Sequence, residues 1–467
     1  MLFELPEGLQ MDCVAAEPLI EDPVAFDWAP NGDMWVVEMR DYPGGMDSTH
    51  TPGGRIKRLQ DLNGDGQYDQ ATLFLDEIPF PSGIHPWENG WWISAAPFVF
   101  FAADLDGDGK ADVRRNLLSG FGEGNQQHRV NGFAYGLDHT LHGANGDSGG
   151  LIQSLWHDQS WPLRRRDFAF SPVTGRVQLL EGQTQYGRNR DDWGRWFGNN
   201  NPNWLWHFRR PFRYDRAVPE MDLGSPLRYL AQDESLRRVN QISPSLQRFN
   251  DIGMRGYVTS ACSPTPYRDQ KLFQDGGQHV LVSEPVHNLV RHFQLEMTEG
   301  GLMAKRPELE QSMEFLASRD PWFRPTSLRT GPDGALYVAD MYRAVIEHTE
   351  WIPDDVEKLM DPRLGSDRGR IWRLSHPEGP SLAQSLRASS GYDWGSWLAS
   401  ENGWKRDTAQ RKLIEQQDHS QVELLVSRIA EGGLPALHAL WTLEHLQVLE
   451  PSHILKALKH GSPDLKC

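Results

Sequence analysis

Short apolar runs with polar residues at alternate positions, broken by Gly, Asn or Asp, fill the first 375 residues, and the breaks recur at a regular distance. An apolar strand, a turn pairing Asp or Asn with Gly, a second strand and then an acidic residue read as AFDWAPNGDMWVVEMR around Gly32 and GIHPWENGWWISAA around Gly90. The same unit follows as GRNRDDWGRWFGNNN around Gly194, QDGGQHVLVSE around Gly277 and SLRTGPDGALYVADMYR around Gly334. QHRVNGFAYGLDHTLHGANGDSGG, residues 127–150, is a further copy, with its turn at Leu137-Asp138-His139-Thr140. That makes about six copies spaced about 50 to 60 residues apart, with one step of about 80 that must hold an insertion. Turns of this type between alternating strands are hairpin signals. A period of this length predicts four-stranded blades, so the fold expected is mainly β: a six-bladed β-propeller over residues 1–375.

The pattern changes at His376-Pro377-Glu378-Gly379-Pro380, a Pro/Gly-rich junction. Beyond it, over 381–467, apolar residues take helical spacing at 408–417, 422–430 and 434–448. Val422, Leu425 and Ile429 share one face, and Leu437, Leu440 and Trp441 another with Glu444 at its edge. Short helices joined by tight turns predict a HEAT-like array. Fewer than about three repeats and a cap precede Cys467, so the expectation is a segment of a longer array whose last helix frays.

Composition narrows the function classes. Eighteen Trp and 44 Gly suit sheets that bury aromatics between blades and turn tightly. A formal net charge of −17 repels phosphate backbones, which argues against nucleic acid as a partner. Cys13, Cys262 and Cys467 include no CxxC pair, so the chain itself offers no disulfide framework, zinc site or c-type haem attachment. No run of about 20 apolar residues predicts a transmembrane helix, and MLFELPEGLQMD lacks the basic and apolar regions of a secretion signal.

Two loops carry metal-ligand spacing. Asp61, Asn63, Asp65 and Asp69, and likewise Asp104, Asp106, Asp108 and Asp112, put side-chain oxygens at positions 1, 3, 5 and 9. Gln67 and Lys110 at position 7 offer main-chain carbonyls, and Gly66 and Gly109 allow the sharp turn at position 6. Hard oxygens in a flexible loop suit Ca²⁺ better than Mg²⁺. Position 12 is Thr72 or Arg115 instead of the bidentate Glu of an EF-hand, and the flanking runs are strands, so a structural ion in a hairpin loop is expected. The alternative is a solvated acidic turn.

HRVNGFAYGLDHTLHGANGD resembles the blade of soluble quinoprotein sugar dehydrogenases in which a His opens the central pocket, and WFGNNNPNWLWHF resembles their G-H-R-N-P segment. Over most of residues 15–375 the chain is similar to a bacterial family of membrane-bound dehydrogenases. AAEPLIEDPVAFDWAPNGDMWVVEMRDYP, DDWGRWFGNNN, SEPVHNLVRH, WFRPTSLRTGPDGALYVADMYRAVIEH and GSDRGRIWRL carry that similarity. It implies a propeller followed by HEAT-like helices, a c-type cytochrome domain or protein as electron acceptor, haem c only on a domain outside this chain, and export to the periplasm or cell surface. It also implies a quinone-dependent oxidoreductase, in which a pocket His takes the proton of a sugar or other alcohol while hydride passes to pyrroloquinoline quinone (PQQ).

On that resemblance His128 is the candidate base, as a neutral imidazole suits proton abstraction; the alternative is a His satisfied by loop backbone. Asn200 stands where quinoproteins place a pocket Arg, which removes the positive charge expected beside a reduced quinone. Asn201 matches their Asn. Arg324 stands where they hold the cofactor with arginines, His287 lies near their cofactor Lys, and Arg129 follows the candidate base; each is otherwise a salt-bridge residue. The acidic strand ends Glu38-Met39-Arg40 and Asp340-Met341-Tyr342-Arg343 either line the channel or brace adjacent blades. HFRRPFRYDR, residues 207–216, is a docking lip or a solvated loop. The other function class is a calcium-stabilised propeller that binds carbohydrate or protein without turnover, or a lactonase with a metal held by residues such as Asn131, Asn145 and Asp147.

Overall fold

The protein was analysed as a computed structural model, which describes residues 2–47, 50–210, 224–244, 256–347, 361–386, 392–460 and 465. Alternating sequence produces six antiparallel sheets. Their first strands are Pro23–Trp28, Gly83–Trp87, Asn131–Tyr135, Asn189–Arg190, Cys262–Pro266 and Pro325–Thr330; each touches the next, and the sixth returns to the first. This ring defines blades 1 to 6 of a β-propeller. Every turn marked by the sequence period lies between the first and second strands of a blade. The long step falls between the second strands of blades 4 and 5, and residues 211–216 of the Arg-rich lip lie outside the described residues.

Ring closure uses the N-terminus. Gln10–Ala16 is the outermost strand of blade 6, antiparallel to Arg370–Ser375 with Cys13 opposite Trp372. Phe3–Glu4 joins blade 5 beside Leu316–Ser318. Gly150–Ser154 and Ser160–Pro162 leave blade 3 and extend the edge of blade 2.

The core sits between blades, because each sheet turns its apolar residues toward the next. Trp35 stacks on Trp91 at 4.5 Å between blades 1 and 2, and Trp28 meets Tyr337 edge-on at 4.8 Å between blades 1 and 6. Trp28 is fully buried, and burying a side chain of this size contributes on the order of 3 kcal/mol. Blades 3 and 4 meet through more polar contacts: His142 stacks on Trp196 at 3.7 Å and Arg188 pairs with Asp167 at 2.8 Å.

After the junction come helices Leu382–Leu386, Trp394–Trp397, Gly403–Glu415, Val422–Ile429, Gly433–His445 and Pro451–His460. Gly403–Glu415 starts five residues before the predicted 408, capped by the Asn402 side chain on the Lys405 amide at 2.9 Å. The helix has little apolar period because it buries charge: Arg406 in its first turn and Arg411 further along are almost fully enclosed. Gly433–His445 corrects a predicted face. Ala436, Ala439 and Leu443 are buried, whereas Leu437, Leu440 and Trp441 are half-buried and Glu444 is exposed. The helix is apolar almost all round, so small alanines, which allow close helix approach, select the inner face. In the last helix, Pro451–His460, Ala457 packs into the helical core while Ile454, Leu455 and Leu458 are exposed.

The helices dock on the turn end of the propeller. From Gly403–Glu415 and its cap, Lys412 donates to the Glu88 carbonyl, Gln410 to the Leu137 carbonyl and Asn402 to the Gly331 carbonyl, while Asp407 accepts from Arg190 and Arg268. Blades 2 to 6 are thereby engaged. A Cβ on Gly32, at φ +96°, would lie 2.9 Å from Leu386, so the blade 1 turn receives the short helix 382–386. One mouth of the axial channel is therefore covered, and the other holds the pocket.

Candidate functional site

At the opposite end, chain segments entering the first strands and leaving the second strands enclose a cavity of about 440 Å³. Gln127 and His128 come from blade 3, Gln185 and Tyr186 from blade 4, Ser260 and Cys262 from blade 5, and Arg324 and Thr326 from blade 6. Met39, Asn201, Val286 and Met341 follow or end second strands. His128 closes a one-turn 3₁₀ helix, Gln126–His128, capped by Asn125, just ahead of the strand it was expected to open.

Gln185 organises the wall. Its Oε1 accepts from the Asn201 amide at 2.7 Å, which turns its NH₂ to His128 Nε2 at 2.5 Å. A donor there requires Nε2 to be an unprotonated acceptor. The His128 ring is therefore neutral with its proton on Nδ1, which lies 3.9 Å from Asp147 Oδ2. Burial and the Asp167 charge push the Asp147 carboxyl above its usual range. Asn131 supports this arrangement, donating to the Gln185 carbonyl at 2.7 Å and accepting from the Gly187 amide at 2.9 Å.

Of the residues expected to contact a cofactor, Asn201 and Arg324 line the cavity together with His128. Arg324 directs its guanidinium at main chain, donating to Pro285 O at 2.8 Å, Arg343 O at 3.0 Å and Ala344 O at 2.6 Å. Three others are held elsewhere. Arg129 donates to Glu123 O and sits over the Phe80 ring, Asn200 accepts from Asn203, and His287 Nδ1 lies 2.9 Å from Glu284 Oε2. The acidic strand ends are braces. Glu38 pairs with Lys57, Asp340 accepts from the Arg324 amide and the Trp372 indole, and Arg343 forms a fully buried pair with Asp22 across blades 6 and 1. The residues between them, Met39 and Met341, reach the pocket. Asn145 spends its amide on Arg164 O, Arg166 O and the Gly149 amide.

Glu284, unremarked in the sequence, shapes the opposite wall. It is fully buried and accepts from the Thr259 and Ser260 amides, both at 3.0 Å, and from the His287 amide at 2.6 Å. The His287 charge and these donors outweigh burial and hold its carboxyl at about 2. Cys262 is a poor nucleophile, as burial and Glu284 push its thiol well above the usual range.

The two Asp-rich loops fold alike. Asp61 accepts from Gly64 and Gly66, as Asp104 does from Gly107 and Gly109, with Gly66 at φ +95° and Gly109 at φ +89°. Carboxylate oxygens of Asp104, Asp106 and Asp108 converge within 4.8 Å of one another. Each loop is bonded to the outermost strand of the preceding blade at position 8: the Tyr68 amide to Val14 O at 2.8 Å and the Ala111 amide to Phe74 O at 2.9 Å.

The family model described as Domain of unknown function (DUF7133) matches residues 1–378. No curated protein matches the chain in sequence. Among solved structures, a luciferin-regenerating enzyme is similar at 11% identity, over 80% of this chain and 97% of that one, with a TM-score of 0.44. The holo PQQ domain of Coprinopsis cinerea pyranose dehydrogenase is similar at 14% identity, over 80% and 97%, with a TM-score of 0.43. Virginiamycin B lyase from Staphylococcus aureus is similar at 9% identity, over 80% and 99%, with a TM-score of 0.38. Likeness at this level concerns the fold alone.

Proposed function

We propose that this chain, which belongs to the DUF7133 family, binds a neutral polyhydroxylated small molecule, a sugar or other alcohol, in the axial pocket, and that His128 takes the proton of one of its hydroxyls. The pocket wall supports this reading. Gln127, Gln185, Asn201, Thr259, Ser260 and Thr326 are uncharged amides and hydroxyls that both donate and accept, as hydroxyl ligands require. Met39, Met341, Val24, Val286 and Ile346 offer apolar surface to the faces of a ring. Arg324 and Glu347 cancel in charge.

A ligand hydroxyl reaches His128 Nε2 by displacing the Gln185 N–H. The proton moves to Nε2 as a hydride acceptor supplied from outside the chain takes the hydride of the carbon bearing that hydroxyl, and the Asp147 carboxylate near Nδ1 favours the imidazolium that forms. PQQ, which the quinoprotein resemblance implies, would supply a hydride acceptor, but the donor set does not fit its three carboxylates. Arg324 is the one cation among the described lining residues and is committed to main-chain carbonyls. A metal-dependent lactonase is disfavoured too, since Glu347 is the one carboxylate among the described lining residues.

Ca²⁺ in the two Asp-rich loops belongs to the same reading, as the converging carboxylates of Asp104, Asp106 and Asp108 supply a hard donor set, the 61–69 loop folds alike, and the ion would fix adjacent blades. Without the bidentate Glu such loops fall in the weak range, about 10⁻⁴–10⁻³ M, which fits a periplasmic or surface location. The test is calorimetric titration with neutral sugars and polyols, and with PQQ plus Ca²⁺. Binding of a neutral polyol that is lost in Ile346→Trp, which fills the cavity, supports the proposal. Binding of PQQ alone among these ligands overturns it.

A further inference from the structure

The covered end of the axial channel contains a second chamber, of about 90 Å³, closed by helix Gly403–Glu415. Its wall is unusual in charge. Four guanidiniums, Arg190, Arg268, Arg329 and Arg411, face two carboxylates, Asp27 and Asp407. Following their ion pairs outward adds Arg406 and Lys412 on one side and Asp192 and Glu415 on the other, giving six positive groups against four negative. The surplus of two is unchanged. Burial holds His85, also in the wall, below its ordinary range, so the ring does not add to that surplus.

Donors also remain to be satisfied. Arg411 is 2% exposed, and its Nη1 bonds Glu415, but its Nη2 has no hydrogen-bond partner among the described residues. The His85 ring, 8% exposed, faces Asp27 Oδ2 with Nδ1 at 3.3 Å, and its Nε2 makes no hydrogen bond among the described residues. Arg329 crosses the channel from blade 6, pairing with Asp27 at 3.2 Å and donating to Phe133 O at 3.1 Å, which fixes the inner side of the chamber. Water would satisfy Arg411 Nη2 yet leave two buried charges uncompensated, and uncompensated buried charge is strongly destabilising. A small monovalent anion satisfies the same donor and halves that surplus.

We propose that this chamber is a binding site for a small monovalent anion of chloride size, held by Arg411 against the His85 ring, and that the anion ties the helical segment to the propeller. It is independent of the pocket at the other end. The space admits a few water-sized groups, which excludes nucleotides and sugars, and the Asp27 and Asp407 carboxylates disfavour a multiply charged oxyanion.

The experiment uses the full chain. Thermal unfolding is followed at constant ionic strength while gluconate, too large for the chamber, is exchanged for chloride or bromide, and crystals are soaked in bromide for anomalous diffraction. The expected results are a saturable rise of the melting temperature with either halide, loss of that rise in Arg411→Met, and an anomalous peak within hydrogen-bonding reach of Arg411 Nη2. Should Arg411→Met fail to fold, the peak in the wild-type crystal decides. A bromide soak that gives no peak in the chamber overturns the proposal and leaves water as its content.

Discussion

Glu284→Gln removes one buried charge from behind the wall of the axial pocket while keeping the side chain's size, and its effect can be worked from its contacts. The carboxylate receives three main-chain amides and faces His287, and its pKa lies at about 2 against an ordinary 4.5. A shift of that size corresponds to about 3 kcal/mol of folding free energy at pH 7. Because the folded-state value is the lower one, this stabilisation is complete above about pH 5 and is lost as pH falls through 4.5 toward 2, dropping to about 2 kcal/mol at pH 3.5. A propeller of this length unfolds with an entropy near 0.8 kcal/mol/K, so Glu284→Gln should lower the melting temperature by roughly 4 °C at neutral pH. Calorimetric scans of both proteins at pH 7, 5 and 3.5, at several scan rates to expose irreversibility, measure the difference. A deficit that stays constant across these pH values would show that packing and not charge is responsible, and no deficit at all would mean that the three amide bonds are matched in the variant.

Calcium removal by excess chelator should lower the melting temperature, with about 0.4–1.4 kcal/mol lost per loop relative to roughly 1 mM Ca²⁺; Asp65→Ala and Asp108→Ala should each remove one loop's share, and unchanged melting in chelator refutes the ion. Asp407→Ala strips two arginines of a shared partner and should cost about 3 kcal/mol or more, read as faster proteolysis before residue 403, whereas wild-type resistance would show that helix Gly403–Glu415 does not depend on this pair. His128→Ala should abolish turnover of any alcohol substrate while weakening its binding little, and Gln185→Leu should shift the pH profile by freeing Nε2; equal effects of both on KM alone would make His128 a binding residue only.

The blade count was legible because each hairpin repeats the same turn chemistry, and local chemistry is what a sequence displays. Pairing over distance is not displayed. Nothing in QMDCVAA indicates that residues 10–16 lie beside residues 370–375, and GLIQS at 150–154 reads equally well as a strand of its own blade. The helix at Gly403 was hidden for another reason: apolar period detects helices that bury apolar faces, whereas this one buries Arg406, Gln410 and Arg411 against a polar platform of turns.

The pocket shows where the repeat could have been read further. His128, Gln185 and Arg324 stand twelve, nine and ten positions ahead of the turn residues Thr140, Gly194 and Gly334, so counting back from each turn finds Gln185 as readily as His128. Only the first and last drew attention, because a His or an Arg suggests chemistry and a Gln does not. Yet Gln185 sets the tautomer of His128, and the orientation of an amide depends on the Asn201 backbone, which composition cannot reveal. The basic residues Arg129 and His287 show the converse. Their residue type fits cofactor binding, but each is one position along from a residue that reaches the cavity, Arg129 just past a 3₁₀ turn and His287 within a turn, where the bend of the chain points successive side chains in different directions.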